Sequence, residues 1–379
     1  MEAAALAFFS SLVLGAVLLS TRRAHQRYSL DEVSVLRRKV HVAPAPRIGG
    51  VAIFGGAVLG SLLLPEEARD LGVLLAAIGL PAFLGGFSED LTRRVSALAR
   101  LLWVFVAAGI AFFALDARIT DLDLPGSERV LGLAAASLLF TMFAVGGFSH
   151  SLNIVDGLHG LAAFAALMML LAIAYVAHTV GDEAIALLAL VAAGAVAGFL
   201  AWNFPRGALF LGDGGSYFLG FLVAVLALML VHRNTEVSPW FALAALFYPV
   251  WETLFSAYRR KARRGVSPMA ADGLHLHTLV YKRLVRREGR GTANDNSAAT
   301  VYLALLCASA VAPAALFWNN TTALQAVVLV FAALYLICYR ALVRTRVPWW
   351  LALRGVARRL KAQDFAGGSA VDSGKTKTK

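Results

Sequence analysis

The sequence comprises 379 residues, of which 59% are hydrophobic and only 15% are charged, and its mean hydropathy is +0.70. Soluble proteins usually carry about 25% charged residues, so this composition indicates an integral membrane protein. The net charge of +12 would suggest a nucleic-acid-binding protein in a soluble chain, but the hydropathy excludes that class. The two cysteines, Cys307 and Cys338, lie within apolar runs, which excludes a disulfide framework and a cysteine metal site.

Eleven apolar runs follow one another along the chain. A membrane-spanning helix needs about 20 predominantly apolar residues, so each run is a candidate span. We therefore predict an all-α, polytopic helix bundle of about 11 transmembrane helices in residues 1–340, followed by a basic segment, 341–379, with a disordered tail. The runs lie at 3–20, 49–64, 71–86, 101–115, 130–148, 161–179, 184–201, 216–231, 240–256, 299–317 and 323–339.

The basic residues lie mainly on one side of this predicted bundle. If successive helices alternate in direction, 31 of the 35 Lys and Arg residues fall in segments on the same face. Positive residues are retained on the cytoplasmic side, so we predict a periplasmic N-terminus and a cytoplasmic C-terminus. Five segments on this face carry the candidate functional residues, at 37–50, 85–100, 150–160, 202–215 and 257–283.

The first of these segments is basic and rich in proline. Lys39, His41 and Arg47 precede a Gly-Gly pair at the start of the second apolar run. Proline keeps such a stretch extended and glycine lets backbone amides approach an anion, so the segment is a candidate phosphate site. A proline-rich anchor that serves only membrane topology explains the same residues equally well.

Two adjacent carboxylates, Glu89 and Asp90, follow the third run in the second segment. Neighbouring carboxylates repel each other, which raises the pKa of at least one unless they share a cation or a metal. The nearby Arg93, Arg94 and Arg100 complete a mixed-sign surface that suits Mg²⁺ and phosphate together. Charges that only stabilise a helix terminus are the alternative interpretation.

Asp156 and Asp213 are isolated acidic residues at predicted membrane boundaries. Asn153, Asp156 and His159 are spaced three apart in a segment without Lys or Arg, so Asp156 needs a distant cation, a metal or a ligand, unless it caps a helix. Asp213 has glycine on both sides and lies directly before the eighth run. A carboxylate and amide groups exposed at a helix start suit a hard cation that bridges phosphate oxygens.

The fifth segment contains His275 and His277 beside Asp272. A His-x-His pair without a third soft ligand does not predict a zinc site. Such histidines can donate hydrogen bonds to phosphate or to sugar hydroxyls without a metal, although surface or structural pairs are more common.

Taken in order and on one predicted face, these segments resemble the polyprenyl-phosphate N-acetylhexosamine-1-phosphate transferases. This integral membrane superfamily, glycosyltransferase family 4, includes phospho-N-acetylmuramoyl-pentapeptide transferase. The motifs that carry the resemblance are K-x-H-x-x-P-x-P-R-x-G-G, NIVDGLHGLA, FLGDGG and DGLHLH, and it extends over residues 37–283. The His-x-His form, without three histidines followed by Phe-Glu, is more similar to the polysaccharide-initiating branch than to the peptidoglycan branch.

The resemblance implies a Mg²⁺-dependent phosphotransferase, with Mn²⁺ as an alternative ion. A UDP-sugar would donate an (N-acetyl)hexosamine-1-phosphate to undecaprenyl phosphate and release UMP, the initiating step of O-antigen, capsule or exopolysaccharide synthesis. It also implies a multi-pass protein of the bacterial inner membrane whose active site faces the cytoplasm. The expected partners are the UDP-sugar, undecaprenyl phosphate and the lipid bilayer, without nucleic acid, and a homodimer is left open.

The resemblance further implies roles for the residues at matching motif positions. Asp213 would bind Mg²⁺, and one of the catalytic pair Glu89 and Asp90 would deprotonate or hold the lipid phosphate. His275 and His277, also catalytic, would contact the sugar or its phosphate. The expected substrate-binding residues are Lys39, His41, Arg47, Asn153, Asp156, Gly157, Leu158, Asn203 and Phe210, the last of which would stack on uracil.

Two positions depart from the family pattern. Relatives commonly have Asp-Asp where this chain has Glu89 and Asp90, so Asp90 carries more weight, and Thr278 stands where they often have a further histidine. The peptidoglycan branch, a secondary transporter and a non-catalytic scaffold remain the alternatives. A transporter would place ionisable residues near the bilayer midplane, whereas these acids lie at helix ends. A CDP-alcohol phosphotransferase should carry D-G-x-x-A-R, which the sequence lacks.

Overall fold

The computed structural model describes residues 1–31, 44–264, 274–285 and 293–344. Within these ranges the chain is mostly helical, and two-residue strands β1 (Leu30–Asp31) and β2 (Ala45–Pro46) pair in antiparallel orientation. The helices are α1 (Glu2–Ser20), α2 (Arg22–Ser29), α3 (Gly50–Ser61), α4 (Glu66–Thr92), α5 (Ala97–Ala114), α6 (Ser127–Leu131), α7 (Ala134–Val155), α8 (Leu161–Thr179), α9 (Glu183–Asn203), α10 (Gly212–Arg233), α11 (Pro239–Ala245), α12 (Phe247–Arg264), α13 (Leu276–Leu279), α14 (Ala293–Leu316) and α15 (Thr321–Val343). A π-helix, Val280–Val285, directly follows α13.

Nine of the described helices are long and apolar enough to cross a membrane, namely α1, α4, α5, α7, α8, α9, α10, α14 and α15. This confirms the prediction of an all-α, polytopic membrane protein. Two of the predicted runs do not form a single helix long enough to span the membrane. The second run forms α3, whose 12 residues extend about 18 Å, less than the roughly 30 Å hydrocarbon core of a bilayer. The ninth run is divided between α11 and α12, so the total of about eleven spans stays a prediction.

Helix α10 lies at the centre of the bundle and packs against α3, α4, α7 and α8. In its most apolar stretch, 94% of the residues are buried. Glycines let its neighbours approach closely: a Cβ on Gly50 of α3 would lie 2.3 Å from the backbone nitrogen of Gly215, and one on Gly86 of α4 would lie 2.4 Å from the carbonyl oxygen of Asp213. Small residues at such contacts are the usual means of packing helices within a membrane.

The same close packing determines where the functional segments meet. Helices α4, α7 and α9 run in one direction and end at the level where α10 and α3 begin, because successive long helices alternate in direction. The polar residues at these ends therefore gather at one end of the bundle. Most of the remaining residues of α10 are buried and apolar.

Candidate active site

A cleft of about 250 Å³ opens at this end of the bundle. Seven of the residues proposed from the sequence line it, including Asp156 after α7 and Asp213 in the first turn of α10. Lys39 and His41 lie outside the described residues. The complete lining consists of Arg47, Asn153, Asp156, Leu158, His159, Asn203, Phe210, Leu211, Gly212 and Asp213.

The carboxylate of Asp213 is surrounded by cationic and amide groups. Its Oδ1 accepts a hydrogen bond from Nδ2 of Asn153 at 3.0 Å and lies 3.5 Å from Nη2 of Arg47. Its Oδ2 pairs with the guanidinium of Arg100, at the start of α5. Two arginines and a helix N-terminus thus surround this carboxylate at the edge of the cleft, and both kinds of group favour a negative charge.

Asp90 binds the backbone at Asp213. Its side chain is only 1% exposed, and its two oxygens accept the backbone N–H groups of Asp213 at 2.9 Å and Gly214 at 2.8 Å. Arg47 lies 3.4 Å from the same carboxylate. Asp90 thus caps the first turn of α10 from a neighbouring helix, because the first N–H groups of a helix have no partner within it.

Glu89 contacts a different part of the protein. Its Oε2 accepts a hydrogen bond from the backbone nitrogen of Val95 at 2.7 Å, in the turn after α4. Neighbouring residues on a helix point in different directions, which separates the two carboxylates. Asp90 therefore contacts Asp213, whereas Glu89 contacts the turn that follows α4.

A divalent cation fits at Asp213 only together with oxygens from a substrate. Among the described residues, no group of three or more His, Cys, Asp and Glu side chains is placed to hold a metal. Mg²⁺ in phosphoryl-transfer sites usually binds one or two carboxylates together with phosphate oxygens and waters. The single carboxylate of Asp213, beside the amide of Asn153, matches that kind of site.

Two further residues of the cleft lining carry rings, and a third carries a carboxyl group. The rings of His159 and Phe210 stack with centroids 5.7 Å apart and planes at 30°. Nδ1 of His159 donates to the carbonyl oxygen of Pro205 at 3.3 Å, and burial lowers the pKa of this imidazole, so the ring is neutral near pH 7. Burial also raises the pKa of Asp156 to about 7, against the opposing charge of Arg47.

Backbone hydrogen bonds position Arg47 and Phe210 beside each other. The Phe210 nitrogen donates to the carbonyl of Pro46 at 2.8 Å, and the Phe210 carbonyl accepts from Gly49 at 2.9 Å. The described part of this segment therefore runs alongside Phe210 and Leu211. This contact brings Arg47 and the glycine-rich segment before α10 to the same cleft.

The Asn203 side chain connects two loops instead of pointing freely into the cleft. Its Oδ1 accepts from the Gly160 nitrogen at 2.5 Å, and its Nδ2 donates to the Leu209 carbonyl at 2.7 Å. Both ends of the amide are thus used within the protein. Its assignment as a substrate-binding residue stays a prediction, and the geometry gives it a positioning role.

His275 and His277 lie beside the cleft and adjoin the turn after α7. A Cβ on Gly157 would lie 2.4 Å from Nε2 of His277, so Gly157 makes room for that ring. His277 is buried, and the two imidazoles stack 5.3 Å apart with planes at 4°. The Nδ1 atom of His275 lies 2.9 Å from Oε1 of Glu252 on α12.

Sequence reasoning missed several residues that shape this site. Arg100 was noted only as part of a basic group, although its place at the start of α5 directs it towards Asp213. On α14, Asn296 accepts the His159 N–H at 2.7 Å and Thr300 donates to the His159 carbonyl at 2.8 Å. Two polar residues four apart at the start of an apolar helix share one face, and this signal could have identified them.

Comparisons with known proteins agree with these observations. Residues 71–231, which contain Asp90, Asp156 and Asp213, match the family model described as glycosyl transferase family 4. A probable undecaprenyl-phosphate N-acetylglucosaminyl 1-phosphate transferase of Bacillus subtilis is 31% identical over 244 residues, which cover 63% of this chain and 66% of that protein. A decaprenyl-phosphate N-acetylglucosaminephosphotransferase of Mycolicibacterium smegmatis is 30% identical over 275 residues, with the same shares.

A relative with another named activity also matches. The phospho-N-acetylmuramoyl-pentapeptide-transferase of Bacillus cytotoxicus is 30% identical over 198 residues, covering 49% of this chain and 61% of that protein. The chain thus spans slightly less than two thirds of the length of the relatives that it matches.

Proposed function

We propose that this chain, whose residues 71–231 match the model of glycosyl transferase family 4, transfers an (N-acetyl)hexosamine-1-phosphate from a UDP-sugar to undecaprenyl phosphate. UMP is released, and the product is the first lipid-linked intermediate of a cell-surface polysaccharide. The observation that carries this proposal is the carboxylate of Asp213, held between Arg47 and Arg100 at the start of α10 in the cleft.

Two kinds of side chain at the cleft suit the two ends of a nucleotide. Arg47 and Arg100 supply guanidinium groups of the kind that bind phosphate oxygens in pairs. Phe210 supplies an aromatic face for uracil. The cleft volume of about 250 Å³ is below the roughly 300–1,000 Å³ of pockets that enclose a whole ligand. It fits the nucleotide end of the donor, and the sugar and the lipid phosphate would lie at its mouth.

Asp213 is the proposed ligand for Mg²⁺, with Mn²⁺ as the alternative ion. When bound there, a divalent cation would neutralise diphosphate oxygens that otherwise repel the incoming lipid phosphate. Arg47 and Arg100, which pair with Asp213, would then be available to contact the phosphates. Asn153 and Asp90 would keep the carboxylate and the first turn of α10 in place.

The reaction requires mainly positioning and charge stabilisation from these residues. An oxygen of the lipid phosphate attacks the β-phosphorus of the UDP-sugar, and the bond from that phosphorus to the bridging oxygen breaks as UMP leaves. Asp90 and Glu89 are engaged with backbone N–H groups, whereas Asp156 faces the cleft. With a pKa of about 7, Asp156 is the described carboxyl group best suited to accept the proton of the lipid phosphate.

The test uses purified protein in detergent with undecaprenyl phosphate and a panel of UDP-sugars, with and without Mg²⁺, and measures UMP release. We expect Mg²⁺-dependent release with at least one N-acetylated sugar, and Asp213→Asn should abolish it while the protein still inserts and folds. Wild-type turnover in that variant would contradict the metal assignment. No release with any sugar would favour a transporter or a scaffold.

The peptidoglycan branch is the second candidate function, because a named pentapeptide transferase also matches the chain. The panel should therefore include UDP-N-acetylmuramoyl-pentapeptide. Release of UMP only with that donor would replace the proposed function. The bacterial relatives support the proposed inner-membrane location, and a homodimer stays a prediction.

A further inference from the structure

Glu252 is an acidic side chain buried within the bundle, in the second turn of α12 and outside the cleft. Its side chain is 0% exposed. A buried carboxylate is strongly destabilising unless hydrogen-bond donors surround it. Glu252 has such donors on both oxygens: Oε2 accepts from the Tyr335 hydroxyl at 2.8 Å, and Oε1 accepts from the Leu276 nitrogen at 3.2 Å and from Nδ1 of His275 at 2.9 Å.

This arrangement determines which nitrogen of His275 carries a proton. An ionised carboxylate can only accept hydrogen bonds, so the proton of the 2.9 Å contact belongs to Nδ1 of the imidazole. Ser256 lies 3.1 Å from the same nitrogen and 3.4 Å from Oε1 of Glu252, which completes a polar cluster around this contact. Nε2 of His275 has no hydrogen-bond partner among the described residues and is left as the atom that can face a ligand.

His275 is linked to the cleft through the second histidine. The two imidazoles are nearly parallel, with a 4° angle and a 5.3 Å centroid separation. His277 in turn packs against Gly157, in the turn that contains Asp156. Glu252 therefore contacts His275 directly and is connected to that turn through the two stacked rings.

We propose that Glu252 is a positioning residue whose buried carboxylate fixes the Nδ1 proton of His275 and so presents Nε2 to the phosphate or sugar of the substrate. The inference rests on the proposed function, because it takes His275 to contact a substrate of that reaction. Carboxylates that orient histidine ligands commonly change activity about 10-fold to 100-fold when they are replaced. Tyr335 on α15 completes the cluster by satisfying the second oxygen.

The test is a double-mutant cycle with Glu252→Gln and His275→Asn in the full chain. Glutamine keeps the shape of the side chain and removes its charge. We expect Glu252→Gln to lower kcat about 10-fold to 100-fold, with little change in KM for the UDP-sugar. The double variant should be no slower than His275→Asn alone, because Glu252 acts through that ring. The proposal would be overturned if Glu252→Gln lowered kcat by the same factor in the wild type and in His275→Asn, or if it left kcat unchanged.

Asp182→Asn is the matched control. Asp182 is also a buried carboxylate, 3.1 Å from Nε of Arg233 and 3.2 Å from Nδ2 of Asn234, at the opposite end of the bundle. Its replacement should change the unfolding temperature but leave kcat within about twofold, since it contacts no cleft residue. If Asp182→Asn lowered kcat as much as Glu252→Gln does, the loss would follow from removing any buried charge, and the proposal would be overturned.

A spectroscopic measurement separates this inference from the proposed function, because it needs folded protein but no enzymatic turnover. A charge-assisted hydrogen bond shifts the Nδ1 proton of a histidine far downfield in the NMR spectrum. We expect such a resonance for His275 in ¹⁵N-histidine-labelled protein, assigned by its loss in His275→Asn. Its absence would overturn the inference even if UMP is released. Its presence without UMP release would refute the proposed function and leave the geometry of Glu252 and His275 supported.

Discussion

Asp90 and Glu89 are neighbours in the chain but make contacts of unequal importance. Asp90 is buried and accepts two backbone N–H groups at the start of α10, whereas Glu89 accepts one N–H in a partly exposed turn. Asparagine at position 90 would turn an amide NH₂ group towards one of those N–H donors. Glutamine at position 89 keeps an acceptor oxygen for Val95.

We therefore expect Asp90→Asn to lower the free energy of unfolding by about 1–3 kcal/mol and to abolish most UMP release. Glu89→Gln should change stability by less than about 0.5 kcal/mol and leave UMP release within a few-fold of wild type. Thermal unfolding in detergent and the UMP assay measure the two effects. If Glu89→Gln were the more damaging change, the capping role assigned to Asp90 would be wrong.

The raised pKa of Asp156 predicts a pH dependence of stability. Burial raises this pKa from 3.8 to about 7. Between pH 4 and pH 7, as an approximate window, the folded protein keeps a proton that the unfolded chain has released. The contribution of this carboxyl to stability therefore falls as the pH rises through that window and is constant above it. Asp156→Asn should remove this part of the dependence, and an identical pH profile for both proteins would contradict it.

The same shift predicts the pH dependence of the reaction. If Asp156 accepts the proton of the lipid phosphate, it must be ionised, so turnover should rise as the pH approaches about 7 and level off above it. Asp156→Asn should have low turnover at every pH. A wild-type rate that is unchanged between about pH 5.5 and 8 would exclude this role.

Residue types and spacings predicted which side chains gather in the cleft, but not what each one contacts. Asp156 and Asp213 stand out in the sequence because acids are scarce at predicted membrane boundaries. The capping role of Asp90 depends on Asp213, 123 positions away, and the amide of Asn203 is used by Gly160 and Leu209. Such partners depend on how the helices pack, which local patterns do not specify.

At the scale of elements, the site depends on how closely α4 approaches the start of α10. A Cβ on Gly86 would lie 2.4 Å from the carbonyl oxygen of Asp213, which is backbone and cannot rotate away. A Cβ on Gly147, in α7, would have no atom within 4 Å. Two glycines in membrane helices near the cleft end of the bundle thus differ in their neighbours.

Gly86→Ala should lower stability by about 1–3 kcal/mol and reduce UMP release strongly, because the added methyl group displaces Asp213. Gly147→Ala should be neutral, or stabilising by up to about 1 kcal/mol through helix propensity. Unfolding temperature and UMP release measure both variants. Full activity in Gly86→Ala would show that α10 tolerates displacement from α4.

Helix α14 holds the turn that carries Asp156 and His159. Thr300 is fully buried and donates to the His159 carbonyl at 2.8 Å. We expect Thr300→Val, which keeps the shape of the side chain, to lower stability by about 1 kcal/mol and to raise KM for the UDP-sugar. Ser309→Ala is the control, since that hydroxyl bonds to Leu306 on the exposed side of the same helix. Equal KM values for the two variants would refute a role for α14 in positioning the turn.

The division of the ninth apolar run shows why hydropathy alone could not predict every element. Residues 240–256 are apolar enough to form one span, yet Leu246 separates α11 from α12. Glu252 within this run is paired with Tyr335 and His275, which lie 83 and 23 positions away. Hydropathy averaged over neighbouring residues carries no information about contacts with distant residues. It therefore predicts an ordinary membrane span for this run.

At the scale of the whole molecule, the basic residues predict the side of the membrane on which the cleft opens. The face predicted to carry 31 of the 35 Lys and Arg residues corresponds to the end where α4, α7 and α9 finish and α10 begins. UDP-sugars are soluble and anionic, so their site must face the compartment that supplies them. The positive-inside rule and the proposed chemistry therefore require the same orientation.

This orientation can be tested with single cysteines in a Cys307→Ala, Cys338→Ala background. Arg206 is exposed in the loop before α10, on the cleft side, and Glu236 is exposed in the loop after it. In intact bacterial cells, a membrane-impermeant maleimide should label Glu236→Cys and spare Arg206→Cys, which should react only after the membrane is disrupted. The reverse pattern would place the cleft in the periplasm, away from UDP-sugars, and would refute both the orientation and the proposed donor.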